Sequence, residues 1–306
     1  MFKKLIQVGF VTKEPERIMN NFSSICNIGP WYFLKFSPQN VKAMKVYGKS
    51  QDYEMNVAVC AIGDVRFEYI EPITKSIFSD FYDYYNENAV HHLKFTVSNY
   101  KDALQFLTRK SAGIIQAGQQ LGGPGKNIYN FIDTYKELGF ITEIVHVTKN
   151  FIKPQPDYFL PAADIDSDPV FIKPSEIGMV VKNIEDKIKK YEEFKIGPWQ
   201  KYGIGMENDE NIKVKTAFCR LDSMIFKLIE PQSDSIFSRY LSNNGEGIHH
   251  IKMEVDNYEK KLKYLLEKGV NIIYSGNYLD KTRFSYLDTN KLFNFTILIS
   301  DECIKN

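Results

Sequence analysis

The strongest constraint on the fold is that the chain repeats itself. The tripeptide GPW at residues 29–31 returns at 197–199, and these two copies hold the only tryptophans. FEYIEPITKSIFS (67–79) recurs as FKLIEPQSDSIFS (226–238), which lays Cys60 over Cys219, and AVHHLKFTVSNY (89–100) recurs as GIHHIKMEVDNY (247–258). The offset shrinks from 168 to 158 residues along the chain, so the second copy carries shorter loops. A length of 306 residues is about twice the ~150-residue norm for one domain, which agrees with two copies of a single architecture. The segment KPQPDYFLPAADIDSDPVFIKPS (153–175) holds five prolines and little periodicity, as an extended connection does. Domain one is therefore expected at 1–150, a proline-rich linker at 151–171 and domain two at 172–306.

Each copy divides again. LIQVGFV is a short apolar strand, followed by helical spacing at Ile18, Met19, Phe22 and Ile25. Strand-like runs follow at 31–36, 53–62 and 65–70, the last two separated by the hairpin signal Gly63-Asp64. The order then repeats: HHLKFTV as a strand, a helix with Ala103, Leu104 and Leu107 on one face, and strands near 114, 129 and 140–147. The second copy places Ile184, Ile188, Tyr191 and Phe194 on one helix and Tyr258, Leu262, Leu265 and Leu266 on the next. The pattern is βαβββ, four times over, and the fold class is α+β.

Charge excludes some functions. Thirty-nine Lys and Arg face 38 Asp and Glu, with both signs interspersed, so no basic surface for nucleic acid is encoded. Gln7 interrupts the apolar run of MFKKLIQVGF, which fails as a signal peptide, and no apolar run reaches ~18 residues. A cytoplasmic protein without a membrane partner is expected. Cys26, Cys60, Cys219 and Cys303 form no CxxC pair, so neither a zinc knuckle nor a redox motif is present, and reduced thiols are expected.

Paired βαβββ modules together with IEP and GIHHIKMEV resemble the vicinal oxygen chelate superfamily, which includes glyoxalase I and methylmalonyl-CoA epimerase. The resemblance covers nearly the whole chain, twice, and IEP followed by GIHHI is similar to the epimerase branch. It implies tandem glyoxalase-like domains in which two modules curl into a half-open sheet around a cleft holding one divalent metal. The first and last strands of each module supply one ligand apiece. Carried over position by position, the ligands fall on Gln7 in QVGF, Glu68 in FEYIEP, His92 in the HH pair and Glu143 in GFITEIVH. The same types in the same order recur in the zinc form of glyoxalase I.

In the second copy the matching positions are Glu176, Lys227, His250 and Ile297. Ammonium repels a cation and isoleucine has no lone pair, so domain two is expected to be metal-free, with Lys227 paired to Glu176. Three oxygen ligands and one imidazole suit octahedral Zn, Ni, Co or Mn, with two positions left for a chelating substrate. Two carboxylates roughly neutralise a dication and leave a base beside it, Glu143 first and Glu68 second.

Taken singly, Gln7 and Glu68 are ordinary strand residues; it is their joint position that points to a site. His91 is expected to face away from His92, and His146 to face away from Glu143. Gln51, Asp52 and Glu54 lie near the expected second base without a clean register. GPW ends a helix and fills a core without any substrate. GQQLGGPGKN (118–127) lacks phosphate-loop spacing and is expected to form a mobile lip over the site. The aromatic run FSDFYDYYNEN (78–88) is expected to wall a pocket or to stack on the other domain.

The expectation is a metal-dependent isomerase, epimerase or lyase that abstracts a proton beside a chelated carbonyl of a small α-oxygenated acid, thioester or thiol adduct. Its partner is that small molecule, the two halves form an intrachain pseudo-dimer, and a homodimer is compatible with this. The alternatives are a non-catalytic binding or resistance protein of the same fold and, ranked lower, an extradiol-type dioxygenase.

Overall fold

Alternating apolar residues drive two large sheets, one per half. The computed structural model describes residues 1–85, 89–164, 166–202, 212–278 and 281–301. The first half runs β1 (Phe2–Val11), α1 (Pro15–Cys26), β2 (Trp31–Phe36), β3 (Val41–Val46), β4 (Lys49–Ser50), β5 (Met55–Ile62), β6 (Val65–Pro72), α2 (Ile77–Tyr85), β7 (Val90–Val97), α3 (Tyr100–Lys110), β8 (Ile114–Gly122), β9 (Gly125–Ile132), α4 (Tyr135–Leu138), β10 (Ile141–Val147) and β11 (Tyr158–Leu160). The second runs β12 (Pro174–Val180), α5 (Ile184–Glu193), β13 (Gln200–Tyr202), β14 (Val214–Leu221), β15 (Met224–Pro231), α6 (Ile236–Asn244), β16 (Gly247–Met253), α7 (Tyr258–Glu267), β17 (Asn271–Asn277), β18 (Arg283–Asp288), α8 (Asn290–Phe293) and β19 (Thr296–Ser300).

The βαβββ order recurs in all four modules, and the first module adds the β3–β4 hairpin that alternation alone did not reveal. Strand order is β11-β2-β5-β6-β1-β7-β10-β9-β8-β3-β4 in the first sheet and β13-β14-β15-β12-β16-β19-β18-β17 in the second. The proline-rich connection thus contributes an edge strand, β11, paired antiparallel to β2. Three module helices begin alike, with the side chains of Asn99, Asn183 and Asn257 accepting from the backbone N–H three residues on. Such a cap satisfies an otherwise unpaired helix donor, worth ~1 kcal/mol.

The largest apolar cluster takes residues from both halves. Phe10 and Phe67 meet Phe295 at ring distances of 5.3 and 5.7 Å, and Phe22 meets Phe293 at 4.2 Å. Two tyrosines bond across the junction: Tyr69 donates to the Phe293 carbonyl and Tyr191 to the Leu138 carbonyl, each at 2.6 Å. These are matching positions at the ends of α8 and α4. The GPW copies belong to this scaffold. In each the Gly–Pro bond is cis, and the indole N–H donates to an isoleucine carbonyl, Trp31 to Ile28 and Trp199 to Ile196. Trp31 is fully buried against Phe22.

Three cysteines, Cys26, Cys60 and Cys219, are buried and reduced; Cys303 lies outside the described residues. Burial pushes the Cys60 and Cys219 thiols up to about 12 and about 11, which keeps them inert. No helix among the described residues is long and apolar enough to cross a membrane.

Candidate metal centre

Four neighbouring strands at the middle of the first sheet, β6-β1-β7-β10, carry the four candidate ligands. Their register sets two adjacent rows of residues. One reads Glu68, Gly9, His92, Ile141, and the next reads Arg66, Gln7, Lys94, Glu143. Glu68 and His92 therefore lie one row from Gln7 and Glu143, and Lys94 stands between Gln7 and Glu143.

The side chains converge on His92 Nε2. Glu68 Oε2 and Glu143 Oε2 each lie 3.3 Å from it, and Gln7 Nε2 lies at 3.4 Å. Ligating atoms of Glu68, His92 and Glu143 all fall within 4.8 Å of one another, a grouping that could hold a metal ion. Gln7, His92 and Glu143 are buried; Glu68, with 15% of its side chain exposed, is the member that meets solvent. Glu143 Oε2 is buried yet makes no hydrogen bond of good geometry. A buried carboxylate oxygen that meets His92 at 3.3 Å without hydrogen-bond geometry is poorly satisfied, which costs free energy, and a cation beside His92 would satisfy it.

Lys94 also belongs to this centre. It lies two residues beyond His92 and so on the same face of β7, with its Nζ 3.0 Å from Glu143 Oε1 and donating at 3.1 Å to Gln7 Oε1. Because lysine can only donate, it fixes the Gln7 amide: the oxygen faces Lys94 and the –NH₂ faces His92. The signal was present in the sequence, since HHLK and HHIK repeat together, but a strand lysine is too common to single out.

Two further features build the centre. A Cβ on Gly9 would lie 1.8 Å from His92 Cε1, so the glycine after QV makes room for the ring. The expectation that His91 faces away from His92 is overturned: His91 is skipped by the β1 register, a β-bulge, and its Nδ1 comes to 3.0 Å from His92 Nδ1. Burial, and then the neighbouring His92 charge, push His91 well below the ordinary histidine value, so it is neutral, and one of the two facing Nδ1 atoms donates to the other. That bond leaves His92 Nε2 to face the carboxylates. Phe78 and Phe81 pack His91 at 4.8 and 4.7 Å, which is where the aromatic run goes; residues 86–88 of that run are outside the described residues.

Charges in this cluster oppose burial. Desolvation disfavours charge on His92, yet Glu143 and Glu68 raise its pKa above the ordinary 6.5. Burial likewise works against the Glu143 carboxylate, and Lys94 and His92 outweigh it and hold the carboxyl below its usual range.

Other expected residues lie elsewhere. Gln51 donates to the Lys75 carbonyl and Glu54 pairs with Lys35, while His146 is exposed beside Tyr100. The glycine-rich lip is instead the β8–β9 hairpin. Its turn lies six residues along β9 from Phe131, the partner of Glu143, or ~20 Å away, and Ile152 N–H bonds to Gly122 O. The glycines of the turn pack instead against Phe151 and Ile152.

In the second half the same lattice reads Lys227, Gly178, His250, Thr296 and then Ile225, Glu176, Lys252, Leu298. The counterpart of Glu143 is thus Leu298, not Ile297, which corrects the sequence register by one residue; on a strand that step moves a side chain to the other face. Ile297 joins the interdomain core, and Leu298 the cleft cluster. Gly178 again vacates space for the ring, His249 Nδ1 again meets His250 Nδ1 at 3.0 Å, and His250 Nε2 meets Glu176 Oε1 at 3.2 Å.

Two sheets of paired βαβββ modules, with a carboxylate-rich cluster among the described residues that could hold a metal ion, define the class: a tandem βαβββ protein. Residues 6–130 and 175–286 match the Glyoxalase/Bleomycin resistance protein/Dioxygenase superfamily, and the chain belongs to this family, the vicinal oxygen chelate superfamily. No curated protein matches significantly. Among solved structures, a mutant of 4-hydroxymandelate synthase from Streptomyces coelicolor is similar over 98% of this chain and 93% of its own, at 11% identity and a TM-score of 0.65. A xylose isomerase-like TIM barrel/4-hydroxyphenylpyruvate dioxygenase fusion protein is similar over 98% of this chain and 49% of its own, at 8% identity and a TM-score of 0.54. At such identities the likeness is one of fold. Methylmalonyl-CoA epimerase from Mycobacterium tuberculosis covers 43% of this chain and 88% of its own, at 16% identity and a TM-score of 0.36, and no weight rests on it.

Proposed function

We propose that domain one is a metal-dependent isomerase, epimerase or lyase centre acting on a small α-oxygenated substrate, and that domain two holds no metal. The observation that carries this reading is the convergence of Glu68 and Glu143 on His92 Nε2, with Glu143 Oε2 left without a hydrogen bond. Glu68, His92 and Glu143 would hold the ion, one imidazole and two carboxylates suiting Zn, Ni, Co or Mn. The chemistry a divalent cation supplies when bound is stabilisation of charge on two neighbouring substrate oxygens.

The chain's own residues do the rest. Gln7, expected as a fourth ligand, accepts from Lys94 through its oxygen and turns its –NH₂ towards His92, so in this orientation it presents a donor beside the three other residues. With Nε2 on the ion, His92 would donate through Nδ1 to His91, 3.0 Å away, and this contact would hold the ring in place. Glu143, the first choice as base on sequence grounds, is buried and pinned by Lys94, which makes it a weak proton acceptor. Glu68 meets solvent and is the better placed of the two to take and return the α-proton. An iron oxygenase centre is disfavoured, since such sites use two histidines and one carboxylate.

Metal content and solvent deuterium exchange test the proposal together. The reading expects about one divalent ion per chain and deuterium incorporation at the α-carbon of a 2-hydroxy acid or acyl-CoA, lost in Glu68→Gln. A protein that takes up no metal yet binds small molecules would instead be the sequestering member of the fold.

A further inference from the structure

We infer that Lys94 is a specificity-determining residue: a fixed second cation that makes the loaded centre select a chelating substrate bearing a carboxylate. The inference rests on the proposed metal centre and narrows its substrate class. A dication, two carboxylates and the Lys94 ammonium leave one net positive charge at the centre, where Glu68 and Glu143 alone would leave none. That charge cannot drift away. Lys94 is central in the lattice, its side chain is only 12% exposed, and it is held by Glu143 Oε1 at 3.0 Å and Gln7 Oε1 at 3.1 Å. Leaving a buried carboxylate without its partner is strongly unfavourable, so the pair stays made.

Two consequences point to the same ligand. In a partly desolvated site an uncompensated positive charge acts at short range with little screening, and favours an anionic oxygen over a neutral one. Lys94 also turns Gln7 so that its –NH₂ faces the cluster, 3.4 Å from His92 Nε2. The groups beside the ligands are therefore donors, an amide –NH₂ and an ammonium, and they suit oxygens that bring no proton. A 2-oxo or 2-hydroxy carboxylate meets both conditions. An uncharged thioester or amide of the same shape meets only the chelation.

In domain two the equivalent Lys252 faces Glu176 across the same register. A lysine at this position can thus serve simply to balance a buried carboxylate, and the experiment has to separate that role from selectivity. Wild type, Lys94→Met and Lys94→Arg would first be titrated calorimetrically with zinc alone. The zinc-loaded proteins would then be titrated with 2-hydroxypropanoate and with its uncharged amide. Zinc itself prefers the acid, so the quantity of interest is the change in the acid-to-amide ratio between variants. The expected result is zinc binding in Lys94→Met no weaker than in wild type, a fall of about tenfold in the ratio through weaker acid binding, and an unchanged ratio in Lys94→Arg. An unchanged ratio in Lys94→Met, or loss of zinc in that variant, overturns the inference and leaves Lys94 as a positioning residue for Gln7 and Glu143. Wild type that takes up no zinc overturns the underlying metal centre as well, and the zinc titration alone reveals that case.

Discussion

The two halves place the same imidazole on the same lattice and surround it with opposite charge. Around His92 stand Glu68, Glu143 and Lys94; around His250 stand Lys227, Lys252 and Glu176, with Leu298 in place of the second carboxylate. These positions sum to one net negative charge in the first half and one net positive charge in the second. The consequence appears at the histidines. Burial lowers both, but the two glutamates overcome it at His92, whereas at His250 Glu176 does not, and Lys227 and Lys252 add to the lowering. The glycine, the bulged first histidine and the lysine two residues on persist in both copies. The second half lacks the two carboxylates at these positions, with Lys227 and Leu298 in their place, while the surrounding frame is the same.

Removing the ligands should break the comparison most severely. His92→Ala or Glu143→Ala should lower divalent-metal affinity by more than about 100-fold, beyond the 10–100-fold typical of outer-shell partners, while His250→Ala leaves calorimetric stoichiometry at about one. Restoring charge to the second half should sharpen it. Lys227→Glu combined with Leu298→Glu places two carboxylates beside His250, and metal analysis should then find about two ions per chain. A stoichiometry that stays at one would show that charge is not what separates the copies.

Gly9→Ala and Gly178→Ala test the shared frame, since the added methyl would lie 1.8 or 1.9 Å from an imidazole carbon. Each should cost about 1–3 kcal/mol in urea unfolding, as overpacked sites do, and only Gly9→Ala should also weaken metal binding.

The smallest effect is protonation, followed by NMR of the imidazoles in metal-free protein. His92 should titrate above 6.5 and His250 below it. Because His92 is raised on folding, its contribution to stability is complete below the unfolded value and disappears as pH climbs past the folded one. The carboxylates act on the other side. Burial opposes charge on Glu176, but Lys227, His250 and Lys252 bring it down to about 2, so its contribution is present above the ordinary 4.5 and is lost as pH falls towards 2. Glu143 is lowered as well, so acid weakens both halves, and the alkaline limb of the histidine distinguishes them.

Much of this was legible because a duplicated sequence supplies its own alignment. The four modules, the helix faces at Ile18, Met19 and Phe22, and the structural part played by Trp31 and Trp199 follow from periodicity and from which phrases recur. The family phrases led to Gln7, Glu68, His92 and Glu143. What escaped was cross-strand geometry. Whether Ile297 or Leu298 opposes Lys252 depends on a register that spacing cannot resolve, and a bulge that turns His91 onto His92 has no signature in composition. Lys94 escaped for a third reason: its importance lies in the two residues beside it on neighbouring strands, 87 and 49 positions away in the chain.

The account stands on a single cation-binding centre in the first half. Diffraction at the zinc absorption edge from zinc-soaked crystals tests it directly. The predicted result is one strong anomalous peak per chain, at about 2.0–2.2 Å from His92 Nε2 and from one oxygen each of Glu68 and Glu143. A peak at His250, or no peak among Glu68, His92 and Glu143, would contradict it.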